Sequence, residues 1–484
     1  MTRLSLNRLP GVARPRMSAA GLFAALVIPF ALAVPSALAD GTVAWRVPLT
    51  ATYAAHHGAV APDGTVYVQD VQGKVYAVGP SGQLRWTYQT GGLAEGPVVL
   101  GPDGTIYAGG NPAGADVSIH AINPDGTRRW MFTDPGVTQG IIAGPAVGPD
   151  GNVYAVTELT GLGAFSVSGS TGQLLWNDSG APAFNERGQT GAAITFGPQQ
   201  SNGVPDQFYI AFDMFGTAAG TGELYAYSLN GSLRQRIRIG GDANVGQFQP
   251  AAGSATGAVF VSSFSSSQGY RLRSYNANSG NSQWSYPDDA GPPTNILTQP
   301  TVGPDATIYI MRNLGQIHAV NQSGSNRWIH STSFIFNEPV ASPTNNVVVA
   351  PGRITFGEPG FVKGLNVATG GLLWTIPLPD EAGVRMIPFS RPWFSPDGRR
   401  AYITTTLPGS SAGGYLYAID LVTPTCPADF NSDGTLDFFD YDAFVTCFEG
   451  GTCSPGKSAD FDADGTVDFF DYDAFVVAFE TGCS

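Results

Sequence analysis

The stretch Pro62–Trp86, PDGTVYVQDVQGKVYAVGPSGQLRW, decides the fold. Its two apolar runs, Thr65–Val68 and Val75–Val78, alternate with period two. Turn-forming residues separate them, and a third short run ends in Trp86. Alternation bounded by Gly, Pro and Asp reads as consecutive antiparallel strands. The closing Gly82-x-x-x-Trp86 gives the unit a signature that can be followed along the chain.

The signature recurs as Gly126…Trp130, Gly172…Trp176, Gly280…Trp284, Gly324…Trp328 and Gly370…Trp374, with a degenerate copy at Gly231…Gln235. Copies lie about 41 to 59 residues apart, close to the ~40–50 of a four-stranded propeller blade. Second strands follow Pro-Asp-Gly turns at 62–64, 102–104, 149–151 and 396–398, with Pro304-Asp305-Ala306 as a variant. Third strands carry an aromatic or His before Ala: Tyr76-Ala77, His120-Ala121, Tyr225-Ala226, His318-Ala319 and Tyr417-Ala418. After Trp374 come three strands, near 391–395, 400–404 and 415–421, and no closing Trp strand. The orphan strand 42–49, carrying Trp45, supplies it. The expectation is an all-β propeller over 40–423, eight blades closed by a last blade that mixes both chain ends and leaves no unpaired seam. The repeated Trp reads as packing between blades, and blade 4, which lacks it and carries inserts near 198–207 and 214–222, is the loosest.

Charge is unevenly spread. Of the net −14, residues 426–484 contribute −12, from 13 acids against the one base Lys457. No basic stripe exists, so nucleic acid is not an expected partner. At the other end, Arg3, Arg8, Arg14 and Arg16 precede an apolar run, roughly 19–34, ending at Ala37-Leu38-Ala39. This predicts a cleaved secretory signal over 1–39 and an extracellular, cell-surface or periplasmic protein starting at Asp40. No Leu-x-x-Cys lipid-attachment signal is present, and no later segment suits a membrane span.

The blade units resemble the quinoprotein-type (pyrroloquinoline quinone-like) propeller repeat. That resemblance implies one of two functions. In the first, a dehydrogenase carries calcium and quinone in its central funnel. In the second, a non-enzymatic propeller such as the outer-membrane assembly propeller acts by binding. The propeller segment here has no cysteine and no Glu/Asn/Asp set placed for a catalytic calcium. Pyrroloquinoline quinone is therefore not expected, and a non-catalytic binding role is. A quinone-dependent dehydrogenase and a polysaccharide-acting propeller remain the alternatives.

The residues preceding the innermost strands should ring one mouth of the central channel: His57, Gly96, Gly144, Gln249, Gln299, Glu338 and Arg391. The polar members, His57, Gln249, Gln299, Glu338 and Arg391, could hold a small polar ligand or a polysaccharide; they could equally be wetted channel residues.

In the acidic tail, Asp429, Asn431, Asp433, the Thr435 carbonyl, Asp437 and Asp440 are repeated as Asp460, Asp462, Asp464, the Thr466 carbonyl, Asp468 and Asp471. Oxygen donors at loop positions 1, 3, 5, 7, 9 and 12, with Gly434 or Gly465 at position 6, match a calcium loop. Two calcium ions are expected, since hard oxygen ligands disfavour zinc and copper. Each loop runs into FFDYDAFV, read as a short helix entered at the position-12 Asp. Aspartate at position 12 and no helix before either loop make residues 424–484 resemble type I dockerin, the calcium-dependent module that docks onto cohesin domains. The resemblance implies a protein partner, with positions 10 and 11, here Phe438-Phe439 and Phe469-Phe470, leading the contact surface. Some of these Phe are expected to join Phe444 and Phe475 in the core. All four cysteines fall in this tail; spacing suggests Cys447–Cys453 and Cys426–Cys483, with three connectivities open.

Overall fold

The computed structural model describes residues 41–481 except 51–56, 93–95, 111–116, 135–140, 158–162, 179–193, 198–205, 213–221, 240–250, 254–256, 266–268, 288–297, 313–314, 332–337, 354–359, 382–383, 408–412, 422–426, 432–435, 455–456 and 463. The predicted signal segment and most of the blade 4 inserts therefore lie outside the described residues.

The fold is an eight-bladed β-propeller followed by a small helical region. Seven four-stranded antiparallel sheets succeed one another in chain order. We number these blades 1 to 7, over 59–89, 99–134, 141–178, 195–239, 251–286, 301–331 and 340–377. Blade 8 is built from both ends of the propeller. Its outer strand Thr42–Pro48 pairs with Tyr415–Asp420, which pairs with Arg400–Thr406. The short segments Ile387–Pro388 and Trp393–Phe394 complete it on the far side. Trp45 stands opposite Ala418, as the closing-strand expectation requires.

The core is not central but divided among the seams. Among the described residues the propeller has eight clusters of buried side chains, and each joins two neighbouring blades. The cluster of Val47, Leu49, Val66, Val68, Tyr76 and Trp393, for example, belongs to blades 8 and 1 together. A blade is apolar on both faces, so it is stable only when a neighbour covers each.

The repeated tryptophan covers every seam except that between blades 4 and 5, and the structure shows how. Trp86 lies over Gly126 of the next blade and donates its indole N–H to the Pro124 carbonyl at 2.9 Å. Trp45 does the same to Pro80, Trp130 to Gly169, Trp176 to Leu229, Trp284 to Gln322 and Trp328 to Val367, all at 2.8–3.0 Å. The glycine of the signature is thus explained twice. Gly82 takes φ +87°, and a Cβ there would stand 2.8 Å from the Trp45 ring. At the degenerate copy, the Gln235 amide donates to the Asn278 carbonyl in place of the indole.

Sequence reasoning missed two further recurring contacts. In blades 1, 2 and 6 the Asp of the Pro-Asp turn, the Thr two residues on and the Arg before the seam Trp form a clasp: Asp63–Thr65–Arg85, Asp103–Thr105–Arg129 and Asp305–Thr307–Arg327. Hydrogen bonds from Thr65, then Arg85, pull the Asp63 carboxyl down to about 2. The signal was present as Asp-x-Thr paired with Arg-Trp. The other contact is a tyrosine–histidine pair across a seam: Tyr88 with His120 Nδ1 at 2.9 Å, and Tyr286 with His318 Nδ1 at 2.7 Å.

Burial pushes both imidazoles down to about 4, with Arg128 adding to the effect on His120 and Arg312 on His318. A depressed folded-state pKa stabilises fully above the unfolded value near 6.5 and is lost as pH falls through about 4. Each histidine should therefore cost up to about 3 kcal/mol of stability on acidification across that window. Urea unfolding at pH 7 and pH 4.5 measures it. A His120→Gln/His318→Gln variant with an unaltered pH dependence would refute the assignment.

The tail contains two helices, α1 (Phe438–Phe448) and α2 (Phe469–Thr481). Both begin two residues before the position-12 Asp, earlier than the sequence suggested. The cause in α1 is a capping box: the Asp437 side chain accepts from the Phe439 amide, and Asp440 accepts from the Asp437 amide. The core here is Ala428, Phe430, Phe444, Cys447 and Phe475, with the Phe444 and Phe475 rings stacked 4.0 Å apart. The expectation that part of the Phe-Phe pairs would be buried is overturned. Phe438, Phe439, Phe469 and Phe470 are 67–71% exposed, because Phe430 and Phe461 fill the core in their place. Cys447 and Cys453 are disulfide-bonded; the suggested Cys426–Cys483 pair lies outside the described residues.

Candidate functional site

Two loci collect the predicted site residues. Just ahead of their innermost strands, where the sequence places a channel mouth, blades 6, 7, 8 and 1 contribute Gln299, Glu338, Arg391 and His57 in succession. Arg391 Nη2 lies 3.0 Å from His57 Nε2. A guanidinium only donates, so His57 accepts at Nε2 and is neutral, its proton on Nδ1. Arg391 also faces the Glu338 carboxylate, which accepts from the Gln299 backbone N–H. Both charged side chains keep some solvent contact, yet loss of water dominates them. It raises the Glu338 carboxyl and lowers the Arg391 guanidinium, while each partner's charge opposes the shift on the other.

Gln299 is 8% exposed, and its Oε1 has no hydrogen-bond partner among the described residues. The mouth therefore offers an unused acceptor beside a carboxylate–guanidinium–imidazole chain. That set suits a ligand presenting hydroxyl groups. Gln249 lies outside the described residues, and Gly96 and Gly144 add no side chain.

The second locus is the pair of acidic loops. In the second loop, Asp460, Asp462 and Asp464 bring carboxylate oxygens within 4.8 Å of one another. Asp460 Oδ1 is shielded from solvent and has no hydrogen-bond partner among the described residues. Asp471, fully buried, accepts from the amides of Phe461, Asp462 and Asp468 and so holds the loop closed over its acidic side chains. Thr466 and Asp468 continue the loop into α2.

The first loop repeats this frame: Asp440 is fully buried and accepts from the Asn431 and Asp437 amides at 3.0 and 2.9 Å. Asp429 and Asn431 are described, while Asp433 and Thr435 are not. Converging carboxylates with an orphaned, shielded oxygen fit a calcium ion, whose charge would offset their repulsion. Asp429, Asn431, Asp433, Asp437 and Asp440 would hold one ion, and Asp460, Asp462, Asp464, Asp468 and Asp471 the other.

Blade pattern, seam tryptophans and ring closure define the class: a propeller of quinoprotein-like repeats. Within it, the chain belongs to the family described as outer membrane protein assembly factor BamB, whose model matches residues 33–211 and 182–423. Among solved structures it is similar to BamB from Moraxella catarrhalis, at 15% identity and TM-score 0.55, over 78% of this chain and 99% of that one. It is also similar to the C-terminal WD40 domain of Sif2, at 10% identity and TM-score 0.55 over 79% and 99%. The Dos1 propeller aligns at 12% identity and TM-score 0.56 over 79% and 95%. At such identities the likeness is one of fold. No curated protein matches the sequence. Among the described residues no helix is long and apolar enough to cross a membrane.

Proposed function

We propose that this protein is an exported, non-catalytic binding propeller, attached through its calcium-loaded, dockerin-like tail to a protein partner or surface assembly. The observation that carries the reading is the twice-built acidic loop leading into twin helices whose Phe-Phe pairs stand in solvent. Four exposed aromatics at matching positions are a surface made for contact. The family description, an outer-membrane assembly factor, supports a binding role for the propeller. The partner is a cohesin-like domain whose face accepts aromatic side chains, and the channel mouth holds a small polar ligand such as a sugar.

Immobilised protein should capture its partner from the source organism's envelope extract in calcium buffer and release it with EGTA. A Phe438→Ser/Phe439→Ser/Phe469→Ser/Phe470→Ser variant should capture none. In parallel, calorimetry with hexoses and hexuronates should show binding that a Glu338→Gln/Arg391→Gln variant loses. Capture indifferent to EGTA and to the Phe variant would sink the tail reading; sugar binding unaffected by the mouth variant would sink the other.

A further inference from the structure

The seam between blades 4 and 5 differs from the others. Everywhere else a tryptophan covers the glycine turn of the following blade, Trp374 doing so over Gly41. Here Gln235 stands in that place, and a Cβ on Gly280 would lie 3.0 Å from its Oε1. A carboxamide fills far less space than an indole. Beside it lies a cleft of about 500 Å³ lined by Gln235, Arg236, Ile237, Arg238, Tyr275 and the turn 279–282.

The amide meets only half of its bonding needs. Its Nε2 donates to Asn278, as the indoles do to their carbonyls, while Oε1 is shielded from water and has no partner among the described residues. A shielded acceptor without a donor is destabilising, so the seam favours anything that brings an N–H to it. Alongside runs the outermost strand of blade 4, Leu233–Ile239, which pairs with Gly222–Ser228 and leaves its other edge open.

We infer that this seam binds the tryptophan side chain of a partner protein's extended segment. The ring lies in the cleft against Ile237 and Tyr275, in the volume that the carboxamide leaves unfilled compared with an indole, and its N–H donates to Gln235 Oε1 once the carboxamide turns that atom toward the cleft. The segment's backbone pairs with the open strand edge, which is why a peptide rather than free indole is the occupant. Alternation along the strand assigns the roles. Gln235 and Ile237 face the cleft; Arg234 turns to Asp206, while Arg236, which also lines the cleft, pairs with Glu223. Recognition here rests on ring shape and one hydrogen bond, independently of the tail and its calcium.

The test uses the whole protein and two capped Gly/Ser pentapeptides, one with a central tryptophan and one with 1-methyltryptophan, which lacks the N–H. Ligand-observed NMR should give saturable binding of the first with a Kd of the order of 1 mM or tighter. The methylated peptide should bind about tenfold more weakly, the cost of leaving the acceptor unpaired. Gln235→Trp should abolish binding while raising the melting temperature, as the protein's own ring fills the seam. Should that variant fail to fold, Gln235→Leu serves: it should bind both peptides equally. No saturable binding, binding undiminished in Gln235→Trp, or a persisting preference in Gln235→Leu would each overturn the inference, whatever becomes of the tail.

Discussion

Withdrawing calcium should unfold the C-terminal region while the propeller stays intact. The core there is five fully buried residues, Ala428, Phe430, Phe444, Cys447 and Phe475. A core of that size rarely supplies more than about 3–5 kcal/mol. Against it stand 13 acids and one base between 426 and 484, and carboxylates held within 4.8 Å of one another. A ligand at a thousandfold excess over its Kd stabilises by about 4 kcal/mol per site, so two ions bound at such an excess would outweigh the whole core. Calorimetry of the full chain in calcium should show two transitions, and EGTA should abolish the smaller with loss of helical signal. Asp471→Ala should weaken that transition even in calcium, because three backbone amides lose their acceptor. A tail transition indifferent to EGTA would refute the metal assignment.

Deleting residues 40–49 should be the most damaging change to the propeller. It removes the ladder against Tyr415–Asp420, the buried Val47 and Leu49, and the Trp45 cap on Gly82. It also bares Trp374, which packs against Gly41. Trp45 is half-buried, so its loss costs less than the about 3–5 kcal/mol of a core tryptophan, but Val47 and Leu49 go with it, and the bared strand 415–420 becomes an edge prone to pairing between molecules. The expected result is aggregated protein, with solubility restored by adding a peptide of residues 40–49. A soluble deletion variant with an unchanged melting temperature would show that closure contributes little.

The propeller was legible because its signals are periodic and local. Gly-x-x-x-Trp, Pro-Asp-Gly and Tyr-Ala each mark one position in a blade, and eight repetitions average out the degenerate copy at Gln235. Ring closure was legible from counting: the last blade lacked a Trp strand, and Trp45 had no blade. The Phe-Phe pairs were misread because composition fixes how much apolar surface a small domain needs and not which residues supply it. Phe430 and Phe461, one residue after position 1 of each loop, escaped notice since nothing periodic sets them apart. The mouth assembly of Gln299, Glu338, Arg391 and His57 was reachable by blade register. The Arg391–His57 hydrogen bond, between residues 334 positions apart, arises only from three-dimensional packing.

Because every core cluster belongs to two blades, the ring has an unusual failure mode. The first blade to detach must break two seams at once, while each later one breaks a single seam. Resistance is therefore concentrated in the opening event, after which the remaining blades unzip from either side of the gap. Such a molecule spends its lifetime either whole or lost, with half-open forms too short-lived to accumulate. Durability then rests on how rarely the first gap opens.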